Sequence, residues 1–124
     1  MRQENKILSD ITVHMKYAKF SEEKSRRETW DEIVERNMQM HIKTYPQLKD
    51  EIIDVYTHFV KTKKVLPSMR SMQFGGKPIE ISPNRVYNCA YMPIDTHISF
   101  SEAMFFLLGG TGVGYSVQRH HVEL

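Results

Sequence analysis

Six consecutive apolar residues at positions 103–108, with the sequence AMFFLL, constrain the fold of this chain more than any other feature. A helix that is apolar on every side has to be buried on every side, so this segment needs neighbours all around it. Ser99 and Glu102 have the spacing of a capping box that would begin the helix, and the two glycines after it can end it in a left-handed cap. The sequence therefore predicts a buried helix over residues 99–108.

Short strands are predicted on both sides of this helix. Residues 85–91, which contain the single cysteine, and residues 113–117 have a composition typical of strands. A helix between two strands favours a parallel pair with the helix as the crossover. Two such strands would leave open sheet edges, which natural proteins avoid, so we expect that more chain belongs to this fold.

The amino-terminal half predicts two helices. Thr29 and Glu32 form a second capping box, and apolar residues recur at helical spacing after it. Pro46 suits the first turn of another helix, which has an apolar stripe over residues 48–60. We expect a helical hairpin here, preceded by a short edge strand where apolar residues alternate over residues 11–15.

Charge and composition argue against several classes of function. The net charge is +2 and 26% of the residues are charged, so no strong field favours nucleic acid or a membrane as a partner. No apolar run approaches the roughly 20 residues that span a bilayer, and the polar start lacks the apolar core of a secretory signal. We expect a cytoplasmic protein. The histidines are scattered along the sequence, and we expect no metal site.

Asn88 and Cys89 are followed along the chain by a glycine cluster, GTGVG at residues 110–114. The cluster does not fit a dinucleotide-binding fingerprint, because here a helix precedes the glycines and a strand follows them. It fits either a helix cap with a tight bend or a close approach of the backbone to a ligand. Cys89 by itself fits either a small buried hydrophobe or a reactive thiol, and spacing does not choose between them.

Four separated motifs carry a resemblance to a known family. They are RRETWDE at residues 26–32, LPSMRSMQF at 66–74, YNC at 87–89 and GTGVGYSV at 110–117. In order and spacing they resemble class II ribonucleotide reductases, and the resemblance extends from about Tyr17 onward. It implies an α/β fold in which residues 1–66 form an amino-terminal helical region. Residues 67–124 would supply the first strands of a ten-stranded α/β catalytic barrel, incomplete in this chain.

The resemblance also implies radical chemistry with a redox cysteine pair. Such enzymes convert ribonucleotides to 2′-deoxyribonucleotides with adenosylcobalamin as the source of the radical. By its match to the motif, Cys89 would be the earlier cysteine of the reducing pair. That pair closes to a disulfide in each turnover and is reduced again by a dithiol such as thioredoxin. Asn88 and Gly112 match positions that contact the ribonucleotide, and Ser68 matches a position near its phosphates.

The same resemblance places the radical cysteine, the second reducing cysteine and most of the cofactor-binding residues outside this chain. We therefore expect an amino-terminal fragment of a reductase, partnered by the remaining carboxy-terminal part and inactive alone. A class I catalytic subunit, which shares the barrel but takes its radical from a partner subunit, is one alternative. A non-catalytic helical interaction module is another, and deep burial of Cys89 would favour it. The choice between a diphosphate and a triphosphate substrate stays open.

Overall fold

The computed structural model of the chain describes residues 3–122. The chain divides into two compact units, Met1–Gly76 and Lys77–Leu124. The division falls later along the chain than the predicted start of the barrel at residue 67. The assignment of residues 67–124 to a catalytic barrel concerns a larger protein and stays a prediction.

The first unit is mainly helical. Its elements are α1 (Gln3–Lys16), β1 (Phe20–Ser21), β2 (Arg26–Arg27), α2 (Trp30–Thr44), α3 (Lys49–Val55) and α4 (Met69–Phe74). The two short strands pair antiparallel. A 3-10 turn over Pro46–Leu48 leads into α3, and a π-helical turn over Tyr56–Val60 continues it.

The predicted edge strand at residues 11–15 is wrong, because these residues belong to the helix α1. Alternation over so short a stretch also fits a helix when other apolar residues stand one turn away. Ile7, Ile11 and Met15 recur every four residues, which is helical spacing. All three are largely exposed, and only the partly buried Val13 of this stretch packs against a core cluster.

The predicted start of a helix at Thr29 is confirmed, and this helix is α2. The Thr29 hydroxyl accepts a hydrogen bond from the Glu32 backbone N–H at 3.4 Å, and the Glu32 carboxylate accepts one from the Thr29 N–H at 2.8 Å. The helix α2 then buries Ile33 and Val34. Ile33 packs with Ala18 and Met72 in one core cluster, while Val34 belongs to a second.

The helix predicted after Pro46 is present but not uniform, because it changes from 3-10 to α and then to π geometry. Part of its apolar stripe packs on α2, because Tyr56 and Val60 lie with Val34 in the second core cluster. Leu48, Val55 and Phe59 of the same stripe are exposed. The two helical segments therefore form the predicted hairpin, with its core between them.

A buried polar network ties α2, the π-helical turn and α4 together. Asn37 is fully buried, and its amide donates to the Ser71 carbonyl and hydroxyl, both at 2.8 Å. The Tyr56 hydroxyl donates to the Asn37 side-chain oxygen at 2.5 Å. Because each buried polar group has a partner, this network orients α4 without a desolvation penalty for unpaired groups.

Alkaline pH is expected to weaken this network through Tyr56. Burial raises the pKa of Tyr56 to about 12, against an ordinary value of about 10. The folded chain then keeps a proton that the unfolded chain loses, so this contribution to stability is complete below about pH 10 and disappears as the pH rises towards the folded-state value. We expect the free energy of unfolding to fall across that window, and to fall less in Tyr56→Phe.

Denaturant unfolding at a series of pH values measures this effect. Tyr45→Phe is the matched control, because it removes the same hydroxyl from an exposed ring. The same alkaline fall in the Tyr56→Phe variant as in the unmodified chain would show that Tyr56 does not cause it.

An ion pair of low exposure holds the segment after α4. The Arg36 guanidinium binds both oxygens of Glu28, at 2.8 and 2.9 Å, and also donates to the carbonyls of Met72 and Gly75. Burial by itself would raise the pKa of Glu28, but hydrogen bonds from Arg36 and the Lys19 backbone outweigh it and lower that pKa. The pair therefore fixes the backbone around Gly75 against α2.

The second unit is built around one strand–helix–strand motif. Its elements are α5 (Lys77–Ile81), a 3-10 turn (Pro83–Val86), β3 (Cys89–Pro93), α6 (Ile98–Leu108), β4 (Gly112–Ser116) and α7 (Arg119–Val122). The strands β3 and β4 pair parallel, and α6 connects them. The predicted parallel pair with a helical crossover is confirmed. A ten-stranded barrel is not shown, since the sheet of this unit has two strands among the described residues.

Local details of this motif differ from the prediction. The first strand begins at Cys89 instead of residue 85, because Pro83 starts a 3-10 turn that occupies the preceding residues. The predicted capping box at Ser99 is wrong. Ser99 lies inside α6, where its hydroxyl donates to the Asp95 carboxylate at 2.8 Å. The Ser99 hydroxyl is therefore bonded to Asp95, four residues earlier, and does not cap the helix.

The end of α6 follows the prediction. Gly110 has a φ of 85°, in the left-handed region, and the Thr111 N–H reaches back to the Phe106 carbonyl at 2.9 Å. This is the hydrogen-bonding pattern of a Schellman cap with glycine at its left-handed position. Most of the apolar side chains of α6 are exposed among the described residues, and Leu108 is 80% exposed, so the burial predicted for this helix would need further chain around it.

Candidate active site

Two of the predicted site residues, Cys89 and Gly112, lie on one face of the parallel pair. Cys89 lies opposite Gly112, and residues in register on neighbouring strands point to the same side of a sheet. We call this side the cysteine face. It consists of Cys89, Tyr91 and Pro93 of β3 and Gly112, Gly114 and Ser116 of β4. Cys89 is exposed in this chain and carries a free thiol, which favours a reactive thiol over a buried hydrophobe.

Glycine leaves open space beside the thiol. A methyl group built on Gly112 would meet only the Asn88 carbonyl oxygen, at an ordinary contact distance of 3.8 Å. The next glycine on this face, Gly114, lies opposite Tyr91, whose ring would be 3.7 Å from such a methyl group. A ligand can therefore approach the backbone of β4 closely while it contacts the sulfur of Cys89.

Backbone bonds fix the position of Gly112 relative to Cys89. The Gly112 N–H donates to the Asn88 carbonyl at 3.0 Å. One residue earlier, Thr111 is almost fully buried, and its hydroxyl donates to the Tyr87 carbonyl at 3.2 Å. Asn88 itself is exposed. The structure thus brings Asn88, Cys89 and Gly112 together. The hydrogen bonds of Gly112 and Thr111 to the residues before Cys89 hold the start of β4 beside the start of β3.

Ser68 lies in the first unit and forms the amino-terminal cap of α4. Its hydroxyl oxygen accepts a hydrogen bond from the Ser71 N–H at 3.2 Å. A capping oxygen of this kind holds the first turn of a helix. The hydroxyl hydrogen of Ser68 is not used by this bond, so the exposed group can still donate to an anion.

Sequence reasoning missed two residues that shape the site. Tyr91 shares the cysteine face and is 68% exposed, so it offers an aromatic surface beside the thiol. Its position two residues after Cys89 on a strand is the signal that identifies it. No pattern in the sequence identified Thr111, because its hydrogen bond to the Tyr87 carbonyl depends on the path that the chain takes through α6.

Two histidines lie side by side near the carboxyl end. His120 and His121 belong to α7, with ring centroids 3.9 Å apart. Within residues 3–122, no group of three or more histidine, cysteine, aspartate or glutamate side chains could hold a metal ion. No helix in the same range is long and apolar enough to cross a membrane.

A solved structure shares this fold. It is the crystal structure of a B12-dependent (class II) ribonucleotide reductase, matched with a TM-score of 0.79 and 24% sequence identity. The match covers 91% of this chain and 20% of that chain. No model of a protein family and no curated protein matches the sequence.

The chain therefore has the fold of part of a class II ribonucleotide reductase, and it spans about a fifth of that enzyme's length. The family recognised from four sequence motifs and the fold of the described chain agree. The recognition is confirmed at the level of the fold.

Proposed function

We propose that this chain is the amino-terminal part of an adenosylcobalamin-dependent ribonucleotide reductase and that Cys89 is one cysteine of its reducing pair. The observation that carries the proposal is an exposed thiol opposite a glycine on a parallel strand pair. A reducing thiol has to reach both its substrate and its disulfide partner, so it needs exposure and open space. The fold shared with a class II reductase supports the same enzyme class.

The proposed step oxidises two thiols and reduces one ribonucleotide. Cys89 and a second thiol, outside this chain, each give up one hydrogen, and a sulfur–sulfur bond forms between them. At the ribose the C2′–OH bond breaks, the hydroxyl leaves as water, and a C2′–H bond replaces it. Two electrons and two protons thus pass from the thiols to the sugar and its leaving water. A dithiol such as thioredoxin restores the pair by thiol–disulfide exchange.

Three further residues would contact the ribonucleotide. Gly112 would let the sugar approach the strand backbone, because its neighbourhood on the cysteine face is open. Asn88 is exposed beside Cys89 and offers an amide that can both donate and accept hydrogen bonds. Ser68 would donate its hydroxyl hydrogen to a phosphate oxygen while its oxygen caps α4.

The cofactor and the rest of the enzyme would be supplied from outside this chain. Adenosylcobalamin provides the radical that starts the reduction when it is bound, and we assign none of the described residues to it. The exposed apolar side chains of α6, such as Phe105 and Leu108, would be covered by the remaining carboxy-terminal part. A class I catalytic subunit would use Cys89 in the same way, so the cofactor requirement separates the two enzyme classes. We place the enzyme in the cytoplasm.

Reconstitution tests the proposed function. The chain is combined, in trans or by fusion, with the remaining part of its reductase and assayed for conversion of ribonucleotides to deoxyribonucleotides with a dithiol. We expect conversion only when both parts and adenosylcobalamin are present, and none from the chain alone. A folded, complete assembly that reduces no ribonucleotide would refute the proposal, whereas activity without adenosylcobalamin would move it to another class of reductase.

A further inference from the structure

A separate cavity lies within the first unit, between α1 and the segment that follows the π-helical turn. Its volume is about 380 Å³, within the range of small-molecule sites. Leu8, Trp30, Leu66 and Met72 contribute apolar walls, and Lys63 brings the only charged side chain to its lining among the described residues. The candidate active site uses none of these residues.

The backbone at Lys63 is unusual for a lysine. Its φ is 60°, in the left-handed region. The Lys63 N–H bonds to the Val60 carbonyl at 2.9 Å, and the Lys64 N–H bonds to the Phe59 carbonyl at 2.9 Å. This is the same Schellman pattern that ends α6, where the left-handed position is a glycine. Lysine occupies this position although glycine would fit the backbone with less strain.

That side chain is directed at the cavity by two contacts. The Lys63 ammonium lies 5.1 Å from the centroid of the Trp30 ring, a cation–π arrangement. It also donates to the Ser9 hydroxyl at 2.9 Å. The ammonium has three N–H groups, so this bond leaves two, and Ser9 keeps its own hydrogen because its oxygen acts as the acceptor. Two donors thus converge at one end of an apolar cavity.

We propose that this cavity binds a small amphipathic carboxylate, with the carboxylate on Lys63 and Ser9 and the apolar body between α1 and Trp30. A carboxylate accepts charge-assisted bonds from two donors at once, and an apolar chain of moderate length suits the rest of the lining. The Asp10 carboxylate, 3.8 Å from the Lys63 ammonium, competes for the same cation from a more exposed position. This inference is independent of the proposed reductase activity and goes beyond it.

Trp30 gives the test a local signal, because it is the only tryptophan of the chain and lines the cavity. The full chain, at high dilution, is titrated with octanoate and, in parallel, with octanol, which has the same chain length but no charge. We expect a saturable change in tryptophan fluorescence that occurs at lower concentration with octanoate. Lys63→Gln should weaken octanoate binding by about tenfold, the usual effect of losing a charge-assisted bond, and leave octanol unchanged.

Lys64→Gln is the matched control, because it removes the same charge from the next residue, which does not line the cavity. Lys63→Gly is a second variant that suits the left-handed backbone, so it should weaken octanoate binding without unfolding the chain. Asp10→Asn should tighten binding by removing the competing carboxylate. Equal affinity for octanoate and octanol, equal effects of the Lys63 and Lys64 substitutions, or no response of Trp30 to octanoate would each overturn the proposal.

Discussion

Replacement of Cys89 by serine is expected to abolish multiple turnover in the reconstituted reductase. A serine hydroxyl neither gives up its hydrogen in a two-electron oxidation with a thiol nor forms a disulfide, so the reducing equivalents of a dithiol cannot reach the sugar. Removal of the central group of a catalytic unit lowers rates by orders of magnitude, and we expect a loss of about a thousandfold or more. Deoxyribonucleotide formation over many cycles, with excess dithiol, measures this loss.

The fold should survive this substitution, because Cys89 is exposed and serine is close to it in size. Circular dichroism of the unmodified and variant chains should therefore agree. Ala90→Ser is a suitable control, since it places the same hydroxyl on the neighbouring residue of β3, which points away from the cysteine face. Wild-type turnover by the Cys89→Ser enzyme through many cycles would remove Cys89 from the reducing pair.

Features with a short-range cause were predictable from the sequence. The capping box at Thr29 depends on two side chains three residues apart, and it forms as predicted. The left-handed Gly110 ends α6 because glycine alone takes that conformation without strain. The parallel pairing of the strands on either side of α6 follows from the length of the crossover between them.

Features that depend on competition between neighbours were not predictable in the same way. Ser99 has the right spacing for a cap, but Asp95 accepts its hydroxyl hydrogen and the helix begins earlier. The alternation at residues 11–15 fits a strand, yet a longer helical repeat includes it. Nothing in the sequence indicated a lysine in the left-handed position at residue 63, because glycine is the usual residue there.

The part of the candidate site that depends on the register of β3 and β4 was predictable from the sequence. The motifs around Cys89 and Gly112 came from the family resemblance, and the parallel register then places these two residues opposite each other. Tyr91 follows from the same alternation but was not identified as part of the site. Ser68 belongs to the first unit, whereas Cys89 and Gly112 belong to the second. Its proposed role in binding the phosphates therefore rests on the family resemblance alone.

Replacement of Gly112 by valine is expected to lower kcat/KM for the ribonucleotide by about 10- to 100-fold in the reconstituted enzyme. The added side chain would occupy space that the sugar has to share with the strand backbone. Steric crowding of a well-fitted site typically costs about 1–3 kcal/mol, and each 1.36 kcal/mol corresponds to a factor of ten. The loss should appear mainly as a raised KM, because valine blocks binding without removing a reacting group.

The surroundings of three glycines distinguish a loss of substrate binding from a folding defect. A side chain at Gly112 meets no close neighbour within the described chain, and valine suits a strand, so the variant should fold. A side chain at Gly75 would instead lie 2.6 Å from the Ser71 carbonyl oxygen, which the backbone holds in place, so Gly75→Ala should lower stability. Gly114→Val is the matched control, on the same face but about 7 Å further along β4, and it should raise KM less. A Gly112→Val enzyme with unchanged KM, or with the same loss as Gly114→Val, would mean that the ribonucleotide does not approach the strand at Gly112.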